Sequence, residues 1–257
     1  MKLAELVCHK LAQAWHLLSR REYFEILVRL CYCCLPLCLL HLRKHFIVRL
    51  DVCPFQGRAS DAACLLKRAE PADLHAILNC LGVPDDSPTA HVFRDFWQMG
   101  NKCFLIELPG EAQAMGICWV FGSNYTLTYA RYADKNIVFS LPPDAVFIGN
   151  AFVSPHYRRR GVYSRLLAGV ASGLRWPTHT SQILAAVESG NDQSRKAHAK
   201  NGFVTVAAIY YVSFLQTAVL LAWPLKGRPF FVRLRSNTRL IRILGDGTIA
   251  PSSHRVA

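Results

Sequence analysis

The stretch Ala145-Val-Phe-Ile-Gly-Asn-Ala-Phe-Val153 is apolar, and Ser154-Pro155-His156-Tyr157 interrupts it. Arg158, Arg159, Arg160 and Gly161 follow, and then Val162-Tyr163-Ser164-Arg165-Leu166-Leu167. Residue types in this order read as a strand, a turn and the start of a helix. The first amides of a helix have no intrahelical acceptor and sit at the positive end of its dipole. Such a place binds phosphate, and a glycine there lets the main chain approach a diphosphate closely. The neighbouring arginines add positive charge. An arginine run alone is also what a solvated face looks like, so the strand–turn–helix setting carries the argument.

The elements that must position this turn alternate over residues 60–215. Ala63 to Arg68 has strand character, and Pro71 to Leu81 is an amphipathic helix opened by proline and stopped by Gly82. Lys102 to Leu108 and Gln113 to Phe121 form two strands joined at Pro109-Gly110. Residues 122–145 are polar and aromatic and have no assignable pattern. A strand follows over Ala145 to Val153, a helix from Gly161 to Leu174 and a strand from Ile183 to Glu188. A helix over Asn191 to Lys200 and a long strand from Phe203 complete the series. This alternation predicts an α/β (α+β) sheet covered by helices.

The ends read differently. Over residues 1–50, Leu3, Leu6, Val7, Leu11, Trp15 and Leu18 recur at helical spacing, and a second run from Tyr23 to Cys34 stops at Pro36. Residues 1–50 are therefore expected to be helical. Leu30 to Leu40 carries no charge, yet it is shorter than the roughly 20 apolar residues a spanning helix needs. It is expected to pack on the body or to lie at a membrane surface with Arg43, Lys44 and Arg49 near head groups. Alternating apolar and basic residues over 230–235 and 239–244 suit an edge strand or an anionic partner, and the residues from Gly245 read as a frayed end. Three parts result: a helical amphipathic extension (1–58), a body (59–216) and a basic tail (217–257).

Of the 257 residues, 52% are apolar and 18% charged, which supplies a core and excludes global disorder. The net charge of +13 divides as +5 in residues 1–50, +2 in 51–224 and +6 in 225–257. A nucleic-acid groove would run through the body, and the body is nearly neutral. The ten cysteines do not make a small disulfide-stapled domain. Cys31, Cys33, Cys34 and Cys38 lack the paired C-x-x-C spacing of a zinc site, so no metal is expected. A reduced cytoplasmic protein, or one at the inner face of a membrane, is the expectation.

The pattern Val-x-Pro-x-x-Arg-x-x-Gly before a Leu-Leu helix resembles the acetyl-CoA-binding motif of the GNAT superfamily of acyl-CoA N-acyltransferases. Arg158 and Gly161 fall on that signature, and Tyr163 stands where the family has Gly or Ala. The segment Glu188-Ser-Gly-Asn191-Asp-Gln-Ser194, closing on Gly202-Phe203, resembles the family's next motif. The resemblance covers about 60–215. It implies a mixed, mostly antiparallel central sheet splayed at the cofactor cleft, and acetyl (or short acyl) transfer from acetyl-CoA to a primary amine in a ternary complex.

By that resemblance Phe152 and Val153 offer backbone groups to pantetheine, and Arg158, Arg159, Arg160, Gly161, Val162, Tyr163 and Ser164 surround the diphosphate. Asn191 reaches the cofactor from the second helix. An amine with a pKa of about 10.4 must lose a proton before attack, so a carboxylate base is needed. Glu188, at a strand end, is the first candidate and Glu107 the second. The proton taken up by the leaving thiolate is often supplied in this family seven residues after the motif Asn, a position held here by His198. Two other readings stand beside this one: a degenerate acyl-CoA-binding or scaffold module, and a nucleic-acid binder. The expected acceptor is a small-molecule or glycan-linked amine, with an anionic membrane surface as a partner and no nucleic acid.

Overall fold

The computed structural model describes residues 23, 40–52, 65–108, 113–127, 137–175, 180–214, 217–225, 230–234, 239–243 and 249–255. In chain order the strands are β1 (Leu40–Asp51), β2 (Leu65–Ala69), β3 (Lys102–Glu107), β4 (Ala114–Phe121), β5 (Asn124–Leu127), β6 (Ile137–Ser140) and β7 (Ala145–Val153). Then follow β8 (Gln182–Glu188), β9 (Val204–Phe214), β10 (Thr217–Pro224), β11 (Phe230–Leu234), β12 (Arg239–Ile243) and β13 (Ile249–Arg255). Among the described residues, four α-helices lie between them: α1 (Leu74–Leu81), α2 (Pro88–Gln98), α3 (Val162–Arg175) and α4 (Asp192–Lys200).

Nine strands form one sheet in the order β11-β10-β9-β1-β8-β7-β4-β3-β2, and a four-stranded sheet runs β13-β12-β6-β5. Every neighbour pair in the large sheet is antiparallel except β7–β8. The mixed, mostly antiparallel α/β (α+β) architecture expected from the alternation is present.

The sheet is covered on both faces. On one, α1, α2 and the aromatic set Trp119, Phe121, Phe139 and Phe147 bury Ile77, Leu78 and Phe93. On the other, α3 lays Val162, Leu166, Leu167 and Val170 on Ile148, Ile183, Ala185 and Val187. Two-sided burial accounts for the continuous apolar run of β4, where every residue is buried.

The helical expectation for residues 1–50 fails at Leu40–Asp51. This segment is β1, inserted between β8 and β9 in the middle of the sheet. Ile47 enters one core and Val48 and Leu50 the other, so its side chains alternate between two buried faces. The β-branched pair Ile47-Val48 suits that role better than a helix face. The chain beyond the expected boundary at 216 also joins this sheet, as β10 and β11. Residues 249–255, read from the sequence as a frayed end, pair with β12, and residues 122–145 hold β5 and β6. Helix α2, opened by a Ser87 cap and Pro88, is an addition to the sequence reading. Cys31, Cys33, Cys34 and Cys38 lie outside the described residues, while Cys80, Cys103 and Cys118 are buried free thiols. Among the described residues no helix is long and apolar enough to cross a membrane.

If β1 is a core strand, Ile47→Ala should cost about 2–5 kcal/mol. Urea denaturation monitored by far-UV circular dichroism measures this, and a surface segment would lose well under 1 kcal/mol.

Candidate functional site

Strands β7 and β8 pair only from Ala145↔Gln182 to Ile148↔Ala185. Beyond that point they part. β7 continues against β4 up to Gly116↔Val153, and β8 continues against β1 up to His45↔Glu188. The cause is local. Ile117 faces Phe152 and Trp119 faces Gly149, so Asn150 and Ala151 together oppose Cys118. This is a β-bulge, and Asn150 takes φ 47°, a conformation asparagine tolerates better than most residues. Gly149 is packed tightly beneath it, since a Cβ there would stand 2.8 Å from the Tyr125 ring. The result is a wedge between Gly149–Val153 and Ala186–Glu188.

Backbone groups along a strand point alternately to its two neighbours. The Ser154 amide donates to Met115 O across the β4 edge at 2.9 Å, so the Val153 amide is directed into the wedge. The Phe152 carbonyl faces β4, 2.9 Å from where a Gly116 Cβ would stand. The expectation that Phe152 offers its backbone to the wedge is thereby corrected, and its ring instead carries the Arg158 guanidinium at 5.5 Å.

Where β7 ends, at the open end of the wedge, Pro155–Tyr157 make a short 3₁₀ turn and α3 begins at Val162. Arg159 (φ 64°) and Gly161 (φ 75°) are both left-handed, which curls the main chain there. The amide of Arg165 makes the bond to Gly161 O at 3.1 Å, and the amides of Val162, Tyr163 and Ser164 precede it at the helix start. Two arginines brace the turn: Arg158 Nε donates to Val153 O (3.2 Å) and Arg165 to Arg160 O (3.1 Å). Arg159 and Arg160 remain exposed. The Tyr163 phenol turns away from the turn, toward Ser194 Oγ (3.5 Å) and the His198 ring, and burial pushes it up to about 12. The turn is therefore not narrowed by its ring.

The facing side of that open end is built by β8 and α4. Glu188 ends β8 and lines an open depression of about 560 Å³ with Gly190, Asn191, Asp192 and Gln193. Arg43 of β1 donates to Glu188 Oε1, and His45 is the cross-strand neighbour of Glu188. Burial holds His45 down to about 4, with Glu188 acting against that shift and Arg43 adding to it. Asn191 accepts from the Ser194 amide (3.0 Å) as the cap of α4, which leaves its NH₂ group for a ligand. Glu107 lies elsewhere, in β3, ion-paired with Lys67 at 3.1 Å. Its place two strands from the wedge removes it as a base.

His198 is brought to the interface of α3 and α4 rather than to the wedge. It is 3% exposed, between Tyr163 and Phe203. Its Nδ1–H donates to Ser194 O (2.8 Å), so Nε2 carries no proton, and Nε2 is buried without a partner among the described residues. Burial also lowers its pKa, against the Ser194 bond. A neutral imidazole in this tautomer has no proton at Nε2 for a leaving group, so the proton-donor role expected of His198 is withdrawn. Arg43, His45 and Asn150 are the residues that sequence reasoning missed; the Ile47-Val48 pair was the available signal for the first two.

Residues 72–203 match the sequence model of the Acetyltransferase (GNAT) family. Solved structures with a similar fold include an acetyltransferase of the GNAT family from Colwellia psychrerythraea, at 14% identity and a TM-score of 0.46, covering 68% of this chain and 56% of that one. A GNAT-family protein from Novosphingobium aromaticivorans is 12% identical with a TM-score of 0.46, covering 67% of this chain and 63% of that one. AAC(6')-Iy, solved with a CoA-containing bisubstrate analogue, is 18% identical with a TM-score of 0.40, covering 56% of this chain and 92% of that one. The chain spans 52%, 62% and 63% of the length of the first three solved structures it matches. A search of curated proteins finds no match.

His45 and His198 are both held neutral by burial, so the unfolded chain binds more protons than the folded one below their ordinary pKa of about 6.5. Stability should be full above about pH 6.5 and fall as pH drops toward the folded values, about 4 for His45. Urea midpoints at pH 7.5 and 5 measure the drop, and His45→Gln should make it smaller.

Proposed function

Because the chain belongs to the acetyltransferase (GNAT) family, we propose that it moves an acetyl or short acyl group from coenzyme A to a primary amine by direct attack. The observation that carries this reading is the parting of β7 and β8, with the Val153 amide turned into the gap and a helix-start turn at its open end, where β7 stops. The amides of Val162, Tyr163 and Ser164 hold the diphosphate, with Arg159 and Arg160 beside it. The pantetheine arm lies along β7, where the gap offers it backbone partners that β8 no longer takes. The NH₂ of Asn191 supports the arm from α4.

In the ternary complex, the thioester carbonyl oxygen takes the Val153 N–H, which stabilises the charge developing there during attack. An ammonium acceptor enters at the depression beside Glu188 and gives a proton to that carboxylate. The nitrogen lone pair then forms the C–N bond, the C–S bond breaks, and the departing thiolate takes up the second proton that the nitrogen loses on becoming an amide. A thiol of pKa about 8.5 is a competent leaving group without a buried acid. Most of the acceleration is orientation of two bound reactants.

The acceptor class that fits is a small-molecule or glycan-linked amine, with no nucleic acid. The net charge of +6 over residues 225–257 supports work on the cytoplasmic side of an anionic membrane surface, whereas Arg43, Lys44 and Arg49 belong to the central strand β1. Full-length protein should co-sediment with anionic vesicles at low salt and be released as salt rises.

Acetyl-CoA should raise the melting temperature, and free thiol should appear only when an amine is supplied. Glu188→Gln should lower kcat/KM for the amine about 100-fold or more, with the Kd for acetyl-CoA unchanged. Absence of any stabilisation by millimolar acetyl-CoA would remove the proposal.

A further inference from the structure

Strand β1 lies outside the matched residues, yet it occupies the sheet position next to β8 and so forms one flank of the wedge's outer wall. Two of its side chains meet the candidate base. Arg43 reaches Glu188 from 145 residues away in sequence and engages Oε1. Oε2 has no partner among the described residues. His45 stands directly opposite Glu188 across the β1–β8 ladder, half-buried. On β1 the residues 43, 45 and 47 project to one face, and on β8 the residues 184, 186 and 188 share it. The juxtaposition is therefore built by register.

We propose that Arg43 and His45 of β1 are positioning residues for Glu188, completing the acceptor side of the site with a segment that precedes the family core. This rests on the acyltransferase reading above. Arg43 fixes one carboxylate oxygen and so aims the other at the mouth of the wedge, where the ammonium of the acceptor donates to it. His45 contributes by staying neutral. A protonated imidazole in that place would compete with the acceptor for the same carboxylate, and burial suppresses it. One proton leaves the acceptor ammonium for Glu188 Oε2 and passes on to solvent; the freed lone pair forms the C–N bond as the C–S bond breaks, and a second proton from the nitrogen goes to the departing thiolate. Net, one ammonium and one thioester give one amide, one thiol and one proton.

A double-mutant cycle tests this, with rates expressed per acetyl-CoA-binding site so that unfolded protein does not count. Arg43→Met should lower kcat/KM for the amine about tenfold with the Kd for acetyl-CoA unchanged, and Arg43→Lys should restore most of it. In the Glu188→Gln background the same Arg43→Met change should cost less than about twofold. By NMR, the His45 imidazole should titrate higher in Arg43→Met and lower in Glu188→Gln, because the neighbours act on it with opposite signs. Equal losses in both backgrounds, failure of Arg43→Lys to restore activity, or a His45 titration indifferent to both changes would overturn the proposal while leaving acyl transfer intact. A protein that binds acetyl-CoA but releases no thiol with any amine would instead remove the acyltransferase reading, and this one with it.

Discussion

The structure depends on where two parallel strands stop bonding to each other. Up to Ile148 and Ala185 the β7–β8 ladder is regular; one extra residue in β7, at Asn150, turns the strand and ends it. Unpaired backbone groups inside a sheet are costly unless something takes them up. Here the freed edge of β7 is partly satisfied from within, by Arg158 on the Val153 carbonyl, and otherwise faces the gap. The same event brings the chain to the start of α3 and leaves the end of β8 standing apart with Glu188 at its tip. The freed edge of β7, the helix-start turn and the carboxylate at the tip of β8 thus come together where a single bulge ends the ladder.

Much of this was legible in the residues, and for physical reasons. β7, α3, β8 and α4 are consecutive, each with strong patterning of its own, and Pro155, Gly161 and Asn191 mark their junctions. Local rules suffice there. What the residues did not disclose was non-local. Nothing in Leu40–Asp51 says that it pairs with strands more than a hundred residues away, and its basic side chains looked like those of a surface helix. The role of His198 failed for a related reason. Spacing placed it on α4, but whether a helix residue faces a cleft or a neighbouring helix depends on packing, and Tyr163 and Phe203 enclose it.

Tyr163 shows how a departure from a motif can be absorbed. A large ring replaces a small residue at the second position of the helix, which on paper crowds the ligand. The helix rotates that side chain toward α4, where it packs on His198 and meets Ser194. The two rings fit each other, Tyr163 meeting the His198 imidazole nearly edge-on at 5.7 Å. Main-chain donors at the turn are untouched because they do not depend on side-chain identity.

The central place of β1 also sets an order of events during synthesis. This strand is made well before its two neighbours, β8 and β9, so it must wait without hydrogen-bonded partners until they have followed. Ladders closing across such separations form slowly, and an apolar strand kept waiting is open to wrong pairings. A nascent chain of this topology has reason to lean on chaperones, and the sheet gains its continuity only once β8 and β9 have been made.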